Sequence, residues 1–198
     1  MVIDEDLLLK NGATYENYEP GTILFQEGDS PHYYFQIVSG KVELNNYHED
    51  GKEFTFNILS DGQSIGESLL FGEKTYPMNA VVKTDCCLLK LPKSRFLKLL
   101  SENQEIVFNL FRHLSDRLFY KYIMLFNNSS ADPVSKIKSL MDYYKESSMD
   151  SQRFTYHIPL TRQQIANLTG LRVETVIRTI KRMEKKNMVK IHNRQIYY

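Results

Sequence analysis

The stretch Leu160-Thr161-Arg162-Gln163-Gln164-Ile165-Ala166-Asn167-Leu168-Thr169-Gly170-Leu171-Arg172-Val173-Glu174-Thr175-Val176-Ile177-Arg178 carries the most specific spacing in the chain. Thr161 stands where a helix begins. Gln164, three residues later, completes a capping box in which the two residues satisfy each other's backbone donors. Ala166 sits inside this first helix, residues 162–168; Gly170 follows four residues on, and Val176 six beyond that. A small residue lets a second helix approach, a glycine supplies the turn, and a branched residue packs back between the two. Ile165, Leu168, Leu171, Val176 and Ile180 complete a small core. The second helix is expected over residues 173–186, with Glu174, Arg178, Lys181, Arg182 and Lys185 outward. Such a pair is a helix-turn-helix. After it, residues 189–191 and 195–198 on either side of His192-Asn193-Arg194 predict a hairpin wing.

Glu174 and Arg178 have a direct chemical use on the outer face. An arginine holds guanine O6 and N7 bidentately, and a carboxylate accepts from the cytosine amino group. The alternative is an i, i+4 surface ion pair, and the two readings are compatible because the pair would pre-orient the arginine. Charge points the same way. The 198 residues carry 25 basic and 24 acidic side chains. Residues 1–152 hold 22 acids against 15 bases, whereas residues 153–198 hold 10 bases against only Glu174 and Glu184. A basic end on an acidic chain is the footprint of a polyanion-binding module. Charge alone leaves DNA, RNA and acidic lipid open.

Upstream, turn signals recur at short intervals: Pro20-Gly21, Gly28-Asp29, Ser39-Gly40, Asp50-Gly51, Asp61-Gly62 and Phe71-Gly72. Between them residues 22–25, 33–38, 42–46, 54–59 and 80–91 are rich in β-branched and aromatic types and read as strands. In residues 34–38 the alternation of Tyr34, Gln36 and Val38 with Phe35 and Ile37 predicts a half-buried strand. Short, evenly spaced strands without intervening helices predict an antiparallel β-barrel or jelly roll. Tyr33, Tyr34, Phe35, Phe71 and Met78 are expected in the core and lining of that barrel.

The period changes after Pro92. From residue 94 to 127 apolar residues fall at helical spacing, and Val107, Leu110, Phe111, Leu114, Leu118 and Leu125 keep a stripe for about five turns. That stripe is covered either by its own barrel or by a second copy of the helix, and the sequence leaves the two open. Asn127-Asn128-Ser129-Ser130-Ala131-Asp132 breaks the helix and Pro133 begins the next, expected over 134–144, before a polar loop at 145–153. The fold class is α+β. An effector-type barrel is expected over 1–92, a long dimerisation helix with its lead-in over 93–130, and a winged helix-turn-helix over 131–198.

The composition, 42% hydrophobic and 25% charged, excludes disordered and collagen-like chains. No apolar run approaches the 18 or so residues of a membrane span, and the acidic opening (Asp4, Glu5, Asp6) does not predict a secretory signal. Cys86 and Cys87, adjacent on a strand, read as ordinary cytosolic thiols. A cytoplasmic, two-domain protein is expected. The barrel has no His-x-His pair, and the chain has no phosphate-binding loop or nucleophile elbow, so no enzyme is expected.

With these residues in view, the chain resembles the bacterial Crp/Fnr family of transcription regulators over about residues 15–198. The resemblance rests on Tyr18-Glu19-Pro20-Gly21-Thr22-Ile23-Leu24-Phe25-Gln26-Glu27-Gly28, on Tyr33–Val38 with Ser39-Gly40, on Asp50-Gly51-Lys52-Glu53, on Gly62–Glu67, and on the helix-turn-helix stretch. It implies a cyclic-nucleotide-binding-like barrel, a long dimer helix and a DNA-binding winged helix. By position, Glu174 and Arg178 would read bases, while Arg162, Gln163, Thr175, Lys181 and His192 would lie at phosphates. Val173 stands where the cyclic-AMP-binding members have a further base-contacting arginine, and Arg172 is the candidate to replace it. The pattern is closer to the fumarate/nitrate-reductase branch, which has a serine where this chain has Ile177.

The resemblance also implies an effector pocket at Gly66, Glu67, Tyr76 and Pro77, with Lys121 and Tyr122 on the long helix. Tyr76-Pro77 stands where cyclic-AMP-binding members place Arg-Ser. A tyrosine offers one neutral hydrogen bond in place of a bidentate cation, and proline removes an amide donor. The effector is therefore expected to be a small molecule other than cyclic AMP, or none; Lys74 and Lys83 are the cations available for a variant phosphate site. No cofactor is expected: residues 1–18 lack the cysteine cluster of the iron–sulfur branch, and His32, His48 and His113 have no metal spacing. The partners implied are double-stranded DNA with a near-palindromic operator, a second copy of the chain, and RNA polymerase. A regulatory subunit whose winged helix binds protein is the rival reading.

Overall fold

The computed structural model describes residues 2–146 and 152–198. They form two compact units, Met1–Asp116 and Arg117–Tyr198, which divide inside a long helix.

The first unit opens with α1 (Glu5–Lys10), whose first free amides are capped by the Asp4 carboxylate at Leu7. Eight strands follow: β1 (Thr14–Tyr18), β2 (Ile23–Phe25), β3 (Tyr33–Ser39), β4 (Val42–Tyr47), β5 (Glu53–Leu59), β6 (Ser64–Ile65), β7 (Asn79–Val82) and β8 (Cys86–Pro92). They make two four-stranded antiparallel sheets, in the orders β1-β8-β3-β6 and β2-β7-β4-β5. Between the sheets lie Phe25, Phe35, Ile37, Val42, Leu59, Ile65, Val82 and Leu88. The antiparallel jelly-roll expectation holds.

Two details differ. The strand expected over 80–91 is two, because the chain turns at Lys83-Thr84-Asp85 and passes from one sheet to the other. β3 is not half-buried: Tyr34, Phe35, Gln36 and Ile37 are all buried. Phe35 and Ile37 enter the barrel interior, while Tyr34 joins a second core with Leu8, Leu89, Leu91, Phe96 and Leu99. Gln36 stays polar because it exchanges two hydrogen bonds with the backbone of Ile3, at 3.0 and 2.8 Å, and accepts a third from Tyr34. Of the expected lining aromatics, Tyr33 and Phe71 are exposed.

The helical stretch expected from 94 to 127 is also two elements. α2 (Lys93–Glu102) stops at Asn103, whose backbone leaves the helical region (φ −140°, ψ 88°) and whose side chain caps the carbonyl of Leu99. α3 (Gln104–Asn128) then runs 25 residues, about 37 Å. Leu110 is buried in the first unit, and Tyr120 and Met124 in the second. The last two were absent from the expected stripe, and they tie the end of α3 to the C-terminal unit. Phe108, Phe111, Leu118, Phe119, Tyr122, Leu125 and Phe126 remain exposed.

The second unit adds α4 (Pro133–Glu146), α5 (Arg162–Thr169), α6 (Val173–Lys185), β9 (Lys190–His192) and β10 (Gln195–Tyr197). Asp132 caps α4 by accepting from the amides of Val134 and Ser135 and from the Ser135 hydroxyl, which holds its carboxyl below the usual range. Tyr120 of α3 stacks on Tyr143 of α4, ring centres 3.9 Å apart. The polar loop expected at 145–153 lies largely outside the described residues. Beyond it an isolated bridge joins His157 to Tyr197 of β10, with Ile158 N–H donating to Ile196 O and Tyr198 N–H to Tyr156 O, both 2.9 Å, alongside the two-stranded wing.

Candidate nucleic-acid interface and barrel pocket

The helix-turn-helix is built as its spacing requires. Gln164 N–H donates to Thr161 Oγ1 at 3.1 Å, and Thr161 N–H donates to Gln164 Oε1 at 2.9 Å, closing the capping box. Gly170 ends α5 in the left-handed region (φ 68°), which a residue with a Cβ enters only at a cost. Ile165, Ala166, Leu168, Val176 and Ile180 are buried, and Leu171 is half-buried. α6 turns Val176, Thr179, Ile180 and Met183 inward. Its outer arc presents Glu174, Ile177, Arg178, Lys181, Arg182 and Lys185 to solvent, and Arg172 stands exposed at its N-cap.

Among the described residues no ion pair joins Glu174 to Arg178. The i, i+4 alternative is therefore not formed. The expected phosphate residues are not equivalent. Lys181 and His192 are exposed, the latter on β9 opposite Gln195, and Thr175 is half-buried. Gln163 donates to Asn167 Oδ1 at 2.9 Å. Arg162 is half-buried, and its guanidinium donates to the carbonyl of Arg194 at the wing tip; burial lowers its pKa. It ties α5 to the wing. The wing turns through Asn193 and Arg194, both with positive φ, and is fixed to α6 by Ile191 N–H donating to Glu184 Oε1 at 3.1 Å. Exposed Arg194 and Lys190 therefore stand on the wing beside His192. Sequence reading counted both in the basic C-terminal end but did not single them out.

In the barrel, Gly66, Glu67 and Tyr76 come together. Gly66 leads into a 3-10 helix, Glu67–Phe71, with φ 67°. A Cβ there would lie 2.7 Å from Tyr76 Cε1 and 3.3 Å from Phe25 Cζ. Tyr76, 2% exposed, stacks on Phe25 with ring centres 3.6 Å apart and planes within 8°. Its hydroxyl has no hydrogen-bond partner among the described residues. Burial, followed by the charges of Glu67 and Asp29, pushes its pKa up to about 12. Beside this stack a cavity of about 250 Å³ opens between Leu24, Asp29, His32 and Phe35. Pro77 and Lys74 are exposed, and Lys83 faces Glu43 at 3.4 Å. Lys121 and Tyr122 are exposed on the part of α3 that belongs to the other unit.

Residues 15–103 match the family model of the cyclic nucleotide-binding domain, and residues 137–197 that of the Crp-like helix-turn-helix domain. The chain belongs to the Crp/Fnr family of transcription regulators. The cAMP-activated global transcriptional regulator CRP of Haemophilus influenzae is 28% identical over 181 residues, 90% of this chain and 81% of that protein. The anaerobic regulatory protein of Bacillus subtilis is 28% identical over 198 residues, 96% of this chain and 82% of that one. The solved structure of the c-di-GMP responsive global regulator CLP of Xanthomonas campestris superposes with a TM-score of 0.78, covering 98% of both chains at 22% identity. The description of the matched barrel family names a cyclic nucleotide, and the residues present do not fit its cyclic phosphate. A cyclic phosphate placed between Gly66 and Tyr76 would meet the stacked ring of Tyr76 and the carboxylates of Glu67 and Asp29, with no lysine or arginine among the cavity's lining residues.

Proposed function

We propose that this Crp/Fnr regulator is a cytoplasmic homodimer that binds a near-palindromic operator in double-stranded DNA and does not answer to cyclic AMP. The observation that carries the reading is the outer arc of α6, where Glu174 and Arg178 stand exposed and unpaired between Arg172 and Lys181. Glu174 and Arg178 read a G·C core in the major groove, and Arg172 reaches a flanking base. Lys181, His192, Gln163 and Thr175 contact phosphates, while Arg162 sets the angle of the wing. The three working parts are the barrel over 1–92, the long helix with its lead-in over 93–130 and the reader over 131–198. Phe111, Leu118 and Leu125, exposed at seven-residue spacing on α3, support pairing of two such helices. A dyad then sets two α6 helices about 34 Å apart, in successive major grooves. RNA polymerase is the protein partner that follows from family membership.

Fluorescence anisotropy on a labelled near-palindromic duplex with G·C half-site cores tests this. Affinity falls steeply with salt, and Arg178→Ala loses about 1–3 kcal/mol on the cognate duplex but little on a scrambled one. Equal binding to both duplexes by the wild type, insensitive to salt, favours the protein-binding rival. A tenfold tightening by cyclic AMP makes Tyr76-Pro77 a working phosphate site and removes that part of the proposal.

A further inference from the structure

We infer that Ile177 reads a thymine methyl group beside the G·C pair assigned to Glu174 and Arg178. The inference rests on the DNA-binding reading above and deepens it. Ile177 is 41% exposed, in an outer arc whose other members are charged. At 3.6 residues per turn it lies about 60° around the axis from Glu174 and about 100° from Arg178, and about 1.5 Å along the helix from the latter. A pose that brings those two side chains to base edges brings Ile177 to the Glu174 side of the same groove, toward the neighbouring pair.

Isolated exposed apolar residues are common on protein surfaces, but this one has a chemical consequence where it stands. The inward face of α6 is filled by Val176, Thr179, Ile180 and Met183, and Ile177 stands outside that buried set. Its β-branched side chain holds one rotamer on a helix and presents a fixed apolar surface. Val173, one turn earlier on the same line and half-buried, extends that surface. Such a ridge has neither donor nor acceptor. Pressed against guanine, cytosine or the polar edge of adenine, it takes a base group out of water with nothing in return. The 5-methyl of thymine is the one apolar group that normal base pairs show in the major groove. Covering a single methyl corresponds to about fourfold in affinity.

The experiment uses the full chain. Half-sites are selected from a randomised duplex pool, and each thymine of the winning site is then replaced singly by uracil, which keeps base pairing and removes only the methyl. The wild type is expected to lose about fourfold at one thymine adjoining the G·C core. Ile177→Ala, at an exposed position where alanine favours the helix, is expected to bind thymine and uracil duplexes equally while keeping the guanine preference that Arg178 confers. Uracil tolerated at every position, a selected half-site without thymine beside the core, or thymine preference surviving in Ile177→Ala would each overturn the inference. A pool that yields no preferred sequence overturns the DNA-binding reading itself, and this inference with it.

Discussion

Replacing Tyr76 separates a barrel closed by its own side chains from one held open for a ligand. The ring is 2% exposed, stacks on Phe25 at 3.6 Å and sits against Gly66, where there is no room for a Cβ. Truncation to alanine removes a fully buried aromatic side chain and its stack. Such changes cost about 3–5 kcal/mol once the cavity left behind is included, of which about 0.5–1.5 kcal/mol is the aromatic pair itself. A ring that merely lined an open pocket would cost about 1 kcal/mol. Tyr76→Phe keeps the ring and removes only the hydroxyl, which has no partner among the described residues. It is therefore expected to lose no stability, and relief of a buried polar group is worth about 1–3 kcal/mol in its favour. The hydroxyl also carries a sign for pH. Its folded pKa is about 12 against an ordinary 10.0, so the folded state keeps the proton longer. That stability is whole below pH 10 and is lost as pH rises toward 12; Tyr76→Phe removes this slope. Urea titrations of the three proteins, repeated between pH 8 and 11, measure all of this. An alanine variant within 1 kcal/mol of wild type, or a phenylalanine variant clearly less stable, refutes the closed-barrel argument.

Three other outcomes follow from the same structure. Leu118→Glu combined with Leu125→Glu, on the exposed face of α3, is expected to give a folded monomer in sedimentation equilibrium and weak operator binding; a dimer that survives removes α3 as the interface. Thr161→Ala breaks the capping box and is expected to lower stability by about 1 kcal/mol in denaturant, with Thr161→Ser restoring most of it; a neutral alanine would mean the box contributes nothing. Glu43 is buried at 2.9 Å from the Thr55 hydroxyl and 3.4 Å from Lys83. Burial raises its pKa, helped by Glu53 and opposed by Thr55 and Lys83, so its stability is present at acid pH and lost as pH climbs through the raised value. From pH 4 to 7 the wild type should lose stability relative to Glu43→Gln, and parallel pH curves would contradict that.

The fold was legible where its signals are local. Turn dipeptides and short β-rich runs located most of the barrel strands, and Gly66 and Gly170 fall where the backbone turns left-handed. β3 shows where locality ends. Its alternation is real, but alternation assigns one face to water only if nothing covers that face. Here α1, α2 and the segment around Ile3 do, and the polar residue on the covered face is Gln36, held by backbone groups 33 residues away. Asn103 was missed for a related reason: apolar periodicity runs through it, and only its cap on Leu99 marks the end of one helix and the start of the next.

The same distinction explains the two sites. The reader is encoded within nineteen consecutive residues, 160–178, so its cap, turn, packed residues and outward arc follow from spacing, and the structure only had to orient them. The barrel pocket is encoded across the chain. Tyr76-Pro77 announces a missing cation, but the ring that stacks on Tyr76 is Phe25, 51 positions earlier on another strand, and no local pattern links the two. Arg162 is a similar case on a smaller scale: the family pattern places it at a phosphate, and the fold also gives its guanidinium the carbonyl of Arg194 to donate to, 32 residues on. A family pattern carries a residue's place with it but not the residue's neighbours. The neighbours decide whether a buried tyrosine is a ligand's partner or a wall, and whether an arginine is held by its own wing.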